Sequence, residues 1–518
     1  MDSGSRRYRG SAGTTTESVG MTRGGGAPVA FEDPDRVADA IIERVGKNIE
    51  LAMPLGLGKA NHVANALFAR AAADPTIKLR IFTALTLEKP RGKGDLERRF
   101  LEPIVDRVFA GYPELAYALA LHARTLPPNV KVDEFFFAAG TRLGIAAAQQ
   151  SYICANYTHA LRYVLDRGVN VVAQLVAKRV RGGETRLSLS CNPDLTLDLL
   201  ACRARKECDF LFVGQVNSEL PFMPGDGDIA ESEFDLMLEA AATDFRLFAP
   251  PREAIDLADY AAGLHVARTV ADGGTLQLGI GSLGDAVAHA LILRHRRNAD
   301  FRALAARVSG VGGQYNFVAQ SFALEDARSI ILLRATRTAR RRTTSNISWN
   351  YGHTTIPRHL RDIVVTEYGI ADLRGKSDRD VIAAMLAVAD SRFQDELLRR
   401  ARDAGKIEQS FELPAACRDN TPERIAGALA PAREAGLLPP FPFGSDFTAI
   451  EQRLIPALKL LRAALLLHLA RLLARGFFAS APSGEPRDCL ARMGLDHPSG
   501  ATARVEAALL KAALEAPR

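Results

Sequence analysis

From about Pro34 to Pro251, apolar stretches with helical spacing alternate with short β-rich runs at Leu79 to Leu85, Val132 to Phe137, Val169 to Val176 and Phe210 to Val216. Many of these runs are followed by Gly, Asn or Pro. That alternation predicts a mostly parallel sheet wrapped by helices. Pro250-Pro251 removes two consecutive backbone donors and resists both helix and central strand, so it marks a boundary. Beyond it the pattern predicts a helix over Asp256 to Val270, a turn at Gly273-Gly274, a strand over Thr275 to Ile280 and a helix over Gly281 to Arg296. A strand over Ser329 to Arg334, a polar basic loop over Thr336 to Ser345, a strand over Asp362 to Thr366 and helices from Ser377 to Ala404 follow. Thr448 to Arg518 reads as helical, with a Pro/Gly break near Ala481 to Glu485. The expected organisation is a disordered tail (1–33), an α/β domain (34–250), a second α/β domain (251–447) and a helical extension (448–518).

Composition narrows the class. A chain of 518 residues with 47% apolar and 24% charged residues is that of a globular protein with two or more domains. The net charge of +6 comes from arginine spread along the chain, with no lysine-rich stripe to follow a phosphate backbone, so nucleic acid is not an expected partner. Six cysteines include no C-x-x-C pair and read as reduced thiols of a cytoplasmic protein. Residues 1 to about 31 are rich in Gly, Ser, Thr and Arg and lack the apolar run of a secretory signal. A transit peptide is the alternative, opposed by Asp2, Glu17 and the missing amphipathic pattern; Met21 could equally be the start. Ile455 to Phe478 is strongly apolar but carries Lys459, Arg462, Arg471 and Arg475, which reads as packed soluble helix and not as a membrane span.

Several stretches carry candidate chemistry. Gly279-Ile280-Gly281-Ser282-Leu283-Gly284 has the G-x-G-x-x-G form between a predicted strand and a predicted helix. A dinucleotide fold would next need a second strand ending in an acidic residue, and Asn298 to Ala306 is not a clean buried strand. Bare amides at such a helix start would still hold a pyrophosphate, an oxyanion or a thioester carbonyl; a plain tight turn is the bland alternative. Leu55 to Ala60 only superficially suggests a phosphate loop, because Met53 and Ala60 stand where Gly and Ser or Thr are needed. Gly56 to Asn61 is kept as a strand-to-helix loop lining a cleft. Ser309 to Phe317 sets Gly310, Gly312 and Gly313 beside Gln314 and Asn316, which suits close backbone approach to a ligand or a plain hairpin. Glu367, at the end of a strand, could face a cleft or serve as a hydrogen-bonded structural carboxylate. His353 and His359 have no third ligand at metal spacing. Arg334, Arg337, Arg340, Arg341 and Arg342 could reach phosphates or lie on a solvated loop.

Thr275 to Ala290, Gly310 to Phe317 and Thr366 to Ser377, in that order, resemble the acetyl-CoA hydrolase/acetyl-CoA transferase family from about Phe31 to the C-terminus. The resemblance implies an enzyme of acetate metabolism with two open, mostly parallel-sheet domains, which moves CoA between short-chain acyl-CoA and small carboxylic acids, or hydrolyses the thioester. It implies coenzyme A or acetyl-CoA as substrate, with no permanently bound cofactor and no metal. In that family a glutamate attacks the thioester and the resulting anhydride is captured by CoA thiolate. The family's two oxyanion loops fall on Gly279, Ile280, Gly281, Ser282, Leu283 and Gly284 and on Gly312, Gly313 and Gln314.

The family carries a Ser-Glu-Met type motif with the nucleophile between those loops. Here His295 to Arg307 runs directly into Val308 to Gly313, which implies an internal deletion around 307–310, an incomplete second domain and impaired chemistry. Glu367 is the candidate replacement nucleophile. A catalytically inactive CoA-binding protein is the alternative, and a NAD-dependent dehydrogenase a remote one. Family habit and the apolar C-terminal helices suit a homodimer.

Overall fold

The computed structural model describes residues 27–516 apart from 138–140, 156–158, 250–251, 275, 277, 306–326, 340–341, 351–355, 465 and 479–483. Gly312, Gly313, Gln314, Pro250-Pro251 and the junction at 307–310 therefore lie outside the described residues. The chain divides into two compact units, one of residues 1–90 and 105–248, the other of residues 91–104 and 249–518.

The first unit runs β1 (Val29–Phe31), α1 (Pro34–Val45), β2 (Asn48–Ala52), α2 (Asn61–Ala73), β3 (Lys78–Thr83), α3 (Asp95–Val108, whose residues up to Ile104 belong to the second unit), α4 (Ala116–Ala123), β4 (Val130–Glu134), α5 (Ala146–Gln150), α6 (Ala160–Asp166), β5 (Val171–Arg181), β6 (Glu184–Ser188), α7 (Asp194–Ala204), β7 (Leu211–Val216), β8 (Asp228–Ala230) and β9 (Leu236–Leu238). Strand order is β1-β9-β7-β5-β2-β3-β4, with every neighbouring pair parallel; β6 and β8 add an antiparallel flap to β5. A parallel sheet covered on both faces needs apolar side chains on both, and β7 is buried along its whole length. One face packs Leu51, Ile81, Val171 and Val213 against α1, α2 and α4, and the other packs Phe82, Val172 and Phe212 against α6 and α7. Local signals set the boundaries: Asp33 caps α1 through the Asp35 amide, Pro34 sits at its first turn, and Gly46 ends it at φ 77°. Within the span expected as a tail, Val29–Phe31 pairs with Leu236–Leu238 as an edge strand.

The second unit contains α8 (Leu257–Thr269), α9 (Ser282–Arg296), α10 (Asn298–Ala305), β10 (Ile330–Leu332), β11 (Thr336–Ala339), β12 (Arg342–Ser345), β13 (Ile363–Thr366), β14 (Gly369–Asp372), α11 (Asp378–Ala387), α12 (Ser391–Asp403), α13 (Pro422–Glu434), α14 (Ala449–Ala463), α15 (Leu466–Phe478), α16 (Glu485–Arg492) and α17 (Ala501–Leu514). Its described sheet has three strands: β10 and β13 are parallel, β13 and β14 antiparallel. The helices α8 and α9 lie close, and a Cβ on Gly263 would stand 2.7 Å from the Ala286 backbone, so only glycine allows this approach.

Three elements differ from the pattern-based expectation. Among the described residues of 275–280, none is in a strand, and Leu276 and Ile280 are exposed. The basic stretch Thr336 to Ser345 is a hairpin, because Thr338 and Thr343 pair across it and β-branched residues favour extended backbone. The apolar run Ile455 to Phe478 is interrupted after Ala463, so it forms two helices, and no helix among the described residues is long and apolar enough to cross a membrane.

His265 is 3% exposed within α8, and neither ring nitrogen has a hydrogen-bond partner among the described residues. Burial, then Arg268, holds its pKa well below the ordinary 6.5. The unfolded chain therefore binds a proton that the folded chain refuses. Stability attributable to this group is intact above pH 6.5 and falls below it by about 1.4 kcal/mol per pH unit. We expect His265→Leu to flatten the acid limb of the stability curve between pH 6.5 and 5 in urea denaturation; an unchanged slope would contradict the assignment.

Candidate functional site

In the second unit, the glycine loop and the Glu367 turn are joined through side chains that lie on neither motif. The loop ends at Gly281, whose φ of 133° excludes side chains, and α9 begins at Ser282. A Cβ on Gly284 would stand 2.0 Å from the Gly279 carbonyl, so the loop folds back over its own helix start. The first amides of α9, at Ser282, Leu283 and Gly284, have no intrahelical carbonyl to receive them and can meet negative charge. Ile280 stands 93% exposed at the loop tip.

The Ser282 hydroxyl donates to Asp259 on α8. Asp259 also receives the Arg334 guanidinium at 2.6 Å, and the same guanidinium reaches both Asp256 carboxylate oxygens at 2.7 Å. The Asp259 side chain is 6% exposed; burial raises its pKa, and Arg334 draws it back. Next to Arg334, the Ala335 amide donates to Glu367 Oε2 at 2.7 Å. Glu367 and Tyr368 form the two-residue turn between β13 and β14, in which Thr366 faces Gly369. Thr366 Oγ1 donates to the Val388 carbonyl at 2.7 Å and accepts from the Tyr368 amide at 3.0 Å, and Tyr368 donates to Asp390 at 2.8 Å. Burial raises the Glu367 carboxyl above its ordinary range, opposed by the Ala335 amide and Arg334.

Glu367 is 7% exposed and spends one oxygen on Ala335, which makes it a support for the Arg334–Ala335 segment. Among the predicted residues, the structure thus links Gly279 to Gly284 with Glu367, while Gly312, Gly313 and Gln314 lie outside the described residues. Arg334 is withdrawn from the basic cluster into the Asp256–Asp259 pairing, whereas Arg337 stays exposed on its hairpin and reaches Thr344 at 3.4 Å. The helix α10 follows α9 where a dinucleotide fold would place its second strand. Among the described residues, no group of three or more His, Cys, Asp or Glu side chains could hold a metal. Sequence reading missed Asp256 and Asp259: acids in the first turn of a helix ordinarily serve as caps, and Asp256 does cap α8 through the Asp259 amide.

The first unit has its own polar edge. The loop Gly56 to Asn61 lies at the carboxyl end of β2, where open α/β sheets place ligands. Lys59 is fully buried and its Nζ donates to the Ala84 carbonyl at 2.6 Å. Burial lowers its pKa to about 7, with Glu134 opposing. Leu85, which receives the Gly56 amide at 3.2 Å, has the rare φ of 46°. Gly58 passes so close to Asn192 that a Cβ would stand 2.3 Å from its Oδ1. Gln174 donates to the Asn192 carbonyl at 2.8 Å, and Gln215 pairs with the His62 ring at 2.9 Å. Glu134, 2% exposed, accepts from the Thr86 amide at 3.1 Å and its hydroxyl at 2.5 Å.

Comparison with known proteins fits this picture. Residues 298–401 match the acetyl-CoA hydrolase/transferase C-terminal domain. A probable butyrate:acetyl-CoA coenzyme A-transferase of Syntrophomonas wolfei subsp. wolfei is 34% identical over 98 residues, which are 18% of this chain and 22% of that protein. The matched stretch thus spans about a fifth of that relative. RipA from Yersinia pestis matches over 73% of this chain and 98% of its own, with a TM-score of 0.52 and 16% identity. A 4-hydroxybutyrate CoA-transferase from Porphyromonas gingivalis covers the same shares at 17% identity and a TM-score of 0.47. The likeness to RipA, at this identity, establishes the α/β fold. Within the second unit, residues 298–401 carry the similarity to the acetyl-CoA hydrolase/transferase C-terminal domain.

Two outcomes are expected. Replacing Arg334 with Leu strands the buried Asp259, and we expect a loss of about 1–3 kcal/mol in urea denaturation, with Arg334→Lys recovering only part because a single ammonium cannot span both carboxylates. For Lys59, the folded pKa of about 7 lies below the ordinary 10.5, so stability rises with pH between those values. Lys59→Met should remove that rise; an identical slope in the variant would refute the burial of a neutral amine.

Proposed function

We propose that this chain acts as a CoA-transferase or acyl-CoA hydrolase on short-chain acyl-CoA, with a small carboxylic acid or water as acceptor. The observation that carries the reading is the family match over residues 298–401. The glycine loop at the start of α9 supports it, since unpaired amides held by Ser282, Asp259 and Arg334 suit a thioester carbonyl whose oxygen gains charge. CoA serves as substrate in this reading, and the site is placed in the cytoplasm, consistent with free cysteines.

A second reading has its own support. The stretch between the two family motifs holds no Ser-Glu-Met sequence, and Glu367 is buried with one oxygen committed to Ala335. A carboxylate held this way has to surrender a hydrogen bond before it can attack, which suits a CoA-binding protein of weak or lost turnover.

Intact mass spectrometry after incubation of the folded protein with acetyl-CoA separates the two. A mass increase equal to a CoA thioester, mapped to one glutamate, is the result expected of a transferase, and its loss in Glu367→Gln would assign the nucleophile. An unmodified mass with thermal stabilisation by CoA gives the binding protein. An unmodified mass without stabilisation would defeat both.

A further inference from the structure

The β10–β13–β14 sheet has two different faces. Ile330 and Leu332 pack toward Val266 of α8 and Val287 of α9, while the alternate residues Ile331 and Leu333 turn the other way. On that far side, between the sheet and the helices α11 and α12, lies a cleft of about 1030 Å³. Its floor is apolar, formed by Ile331, Leu333, Val364, Leu373, Val381 and Met385. Cationic side chains ring it: Arg358, Arg361, Arg374, Lys376 and Lys406, with His359.

The rim charges are unevenly matched. Asp378, the single carboxylate of the lining, is shared by Arg358 and Lys406. Arg374 pairs with the buried Asp362, which Arg328 also holds. Arg361 donates to the Ile356 carbonyl and forms no ion pair among the described residues, and the exposed Lys376 acts on Asp380 only through space, without a direct pairing among the described residues. An apolar floor under a surplus of positive charge complements a molecule with a hydrocarbon tail and an anionic head. A second copy of this chain would bring an equally basic rim and be repelled. A short acyl group would fill little of a cleft at the upper end of the roughly 300–1,000 Å³ typical of small-molecule sites.

We propose that this cleft binds a long-chain carboxylate, its tail along Ile331, Val364 and Met385 and its head at Lys376 and Arg361. The site is separate from the glycine loop and Glu367, neither of which lines it, and it does not depend on the acyl-CoA reading. Trp349 lines the cleft at 39% exposure and is the single tryptophan of the chain, so its emission reports occupancy directly.

The test titrates the full chain with hexanoate, dodecanoate and dodecyltrimethylammonium while following tryptophan emission, and titrates Lys376→Glu with dodecanoate. We expect a saturable blue shift with dodecanoate, none with hexanoate over the same range, none with the cation, and binding about tenfold weaker in Lys376→Glu, as loss of one charge-assisted contact implies. No saturable change with dodecanoate, or the same curve for the cation, overturns the proposal in the unaltered protein. Undiminished affinity of a cooperatively melting Lys376→Glu overturns the placement of the head.

Discussion

The pairing of Arg334 with Asp256 and Asp259 is the constraint on which the second unit's site depends. A guanidinium presents its donors in a rigid fork, so one side chain fixes two carboxylates on α8 at once. Asp259 in turn receives Ser282, which opens α9. On the other side, the backbone that carries Arg334 is pinned by Glu367 through Ala335. Three elements distant in sequence are thereby set by charges that are costly to bury singly and tolerable together. The glycine loop is tied to this chain of contacts through Ser282, the one polar side chain of Gly279 to Gly284.

Much of this was legible in the sequence. The helix predicted over Gly281 to Arg296 and the strand over Asp362 to Thr366 lie within a residue of α9 and β13, because caps and breakers there coincide with the ends of apolar periodicity. In the first unit β3, β4, β5 and β7 were readable as short β-rich runs for the same reason, whereas β1, β2 and β9 were not among those runs. The strand expected over Thr275 to Ile280 was not realised among the described residues: alternation supplies a candidate, but only a neighbour makes a strand. The hairpin at Thr336 to Ser345 was hidden by its arginines, which suggested a solvated loop while the threonines set the backbone. Asp256 and Asp259 were invisible as site residues because their partner Arg334 lies 78 and 75 positions away.

The two units bury charge by different means. In the second, Asp259 takes a cation in direct contact, which opposes the upward push of burial on its pKa. In the first, Lys59 meets carbonyl oxygens and has Glu134 only as a more distant opposite charge, so burial shifts it toward the neutral amine. The surrounding amides of Gln174, Asn192 and Gln215 hydrogen-bond without carrying charge, while beside Glu134 at the same edge Arg142 pairs with Glu88 at 2.6 Å.

The segment 91–104 interrupts the first unit yet belongs to the second by its contacts. Leu96 and Phe100 pack against the core of α14, α16 and α17, and Arg492 donates to the Arg99 carbonyl while pairing with Glu451. These partners are 393 positions apart. During synthesis at roughly 5–20 residues per second, the early half of this clasp waits roughly 20–80 s for the late half to be made. Over that interval the apolar side of α3 is a sticky surface on a nascent chain, and ribosome-associated chaperones have their clearest reason to engage this protein there.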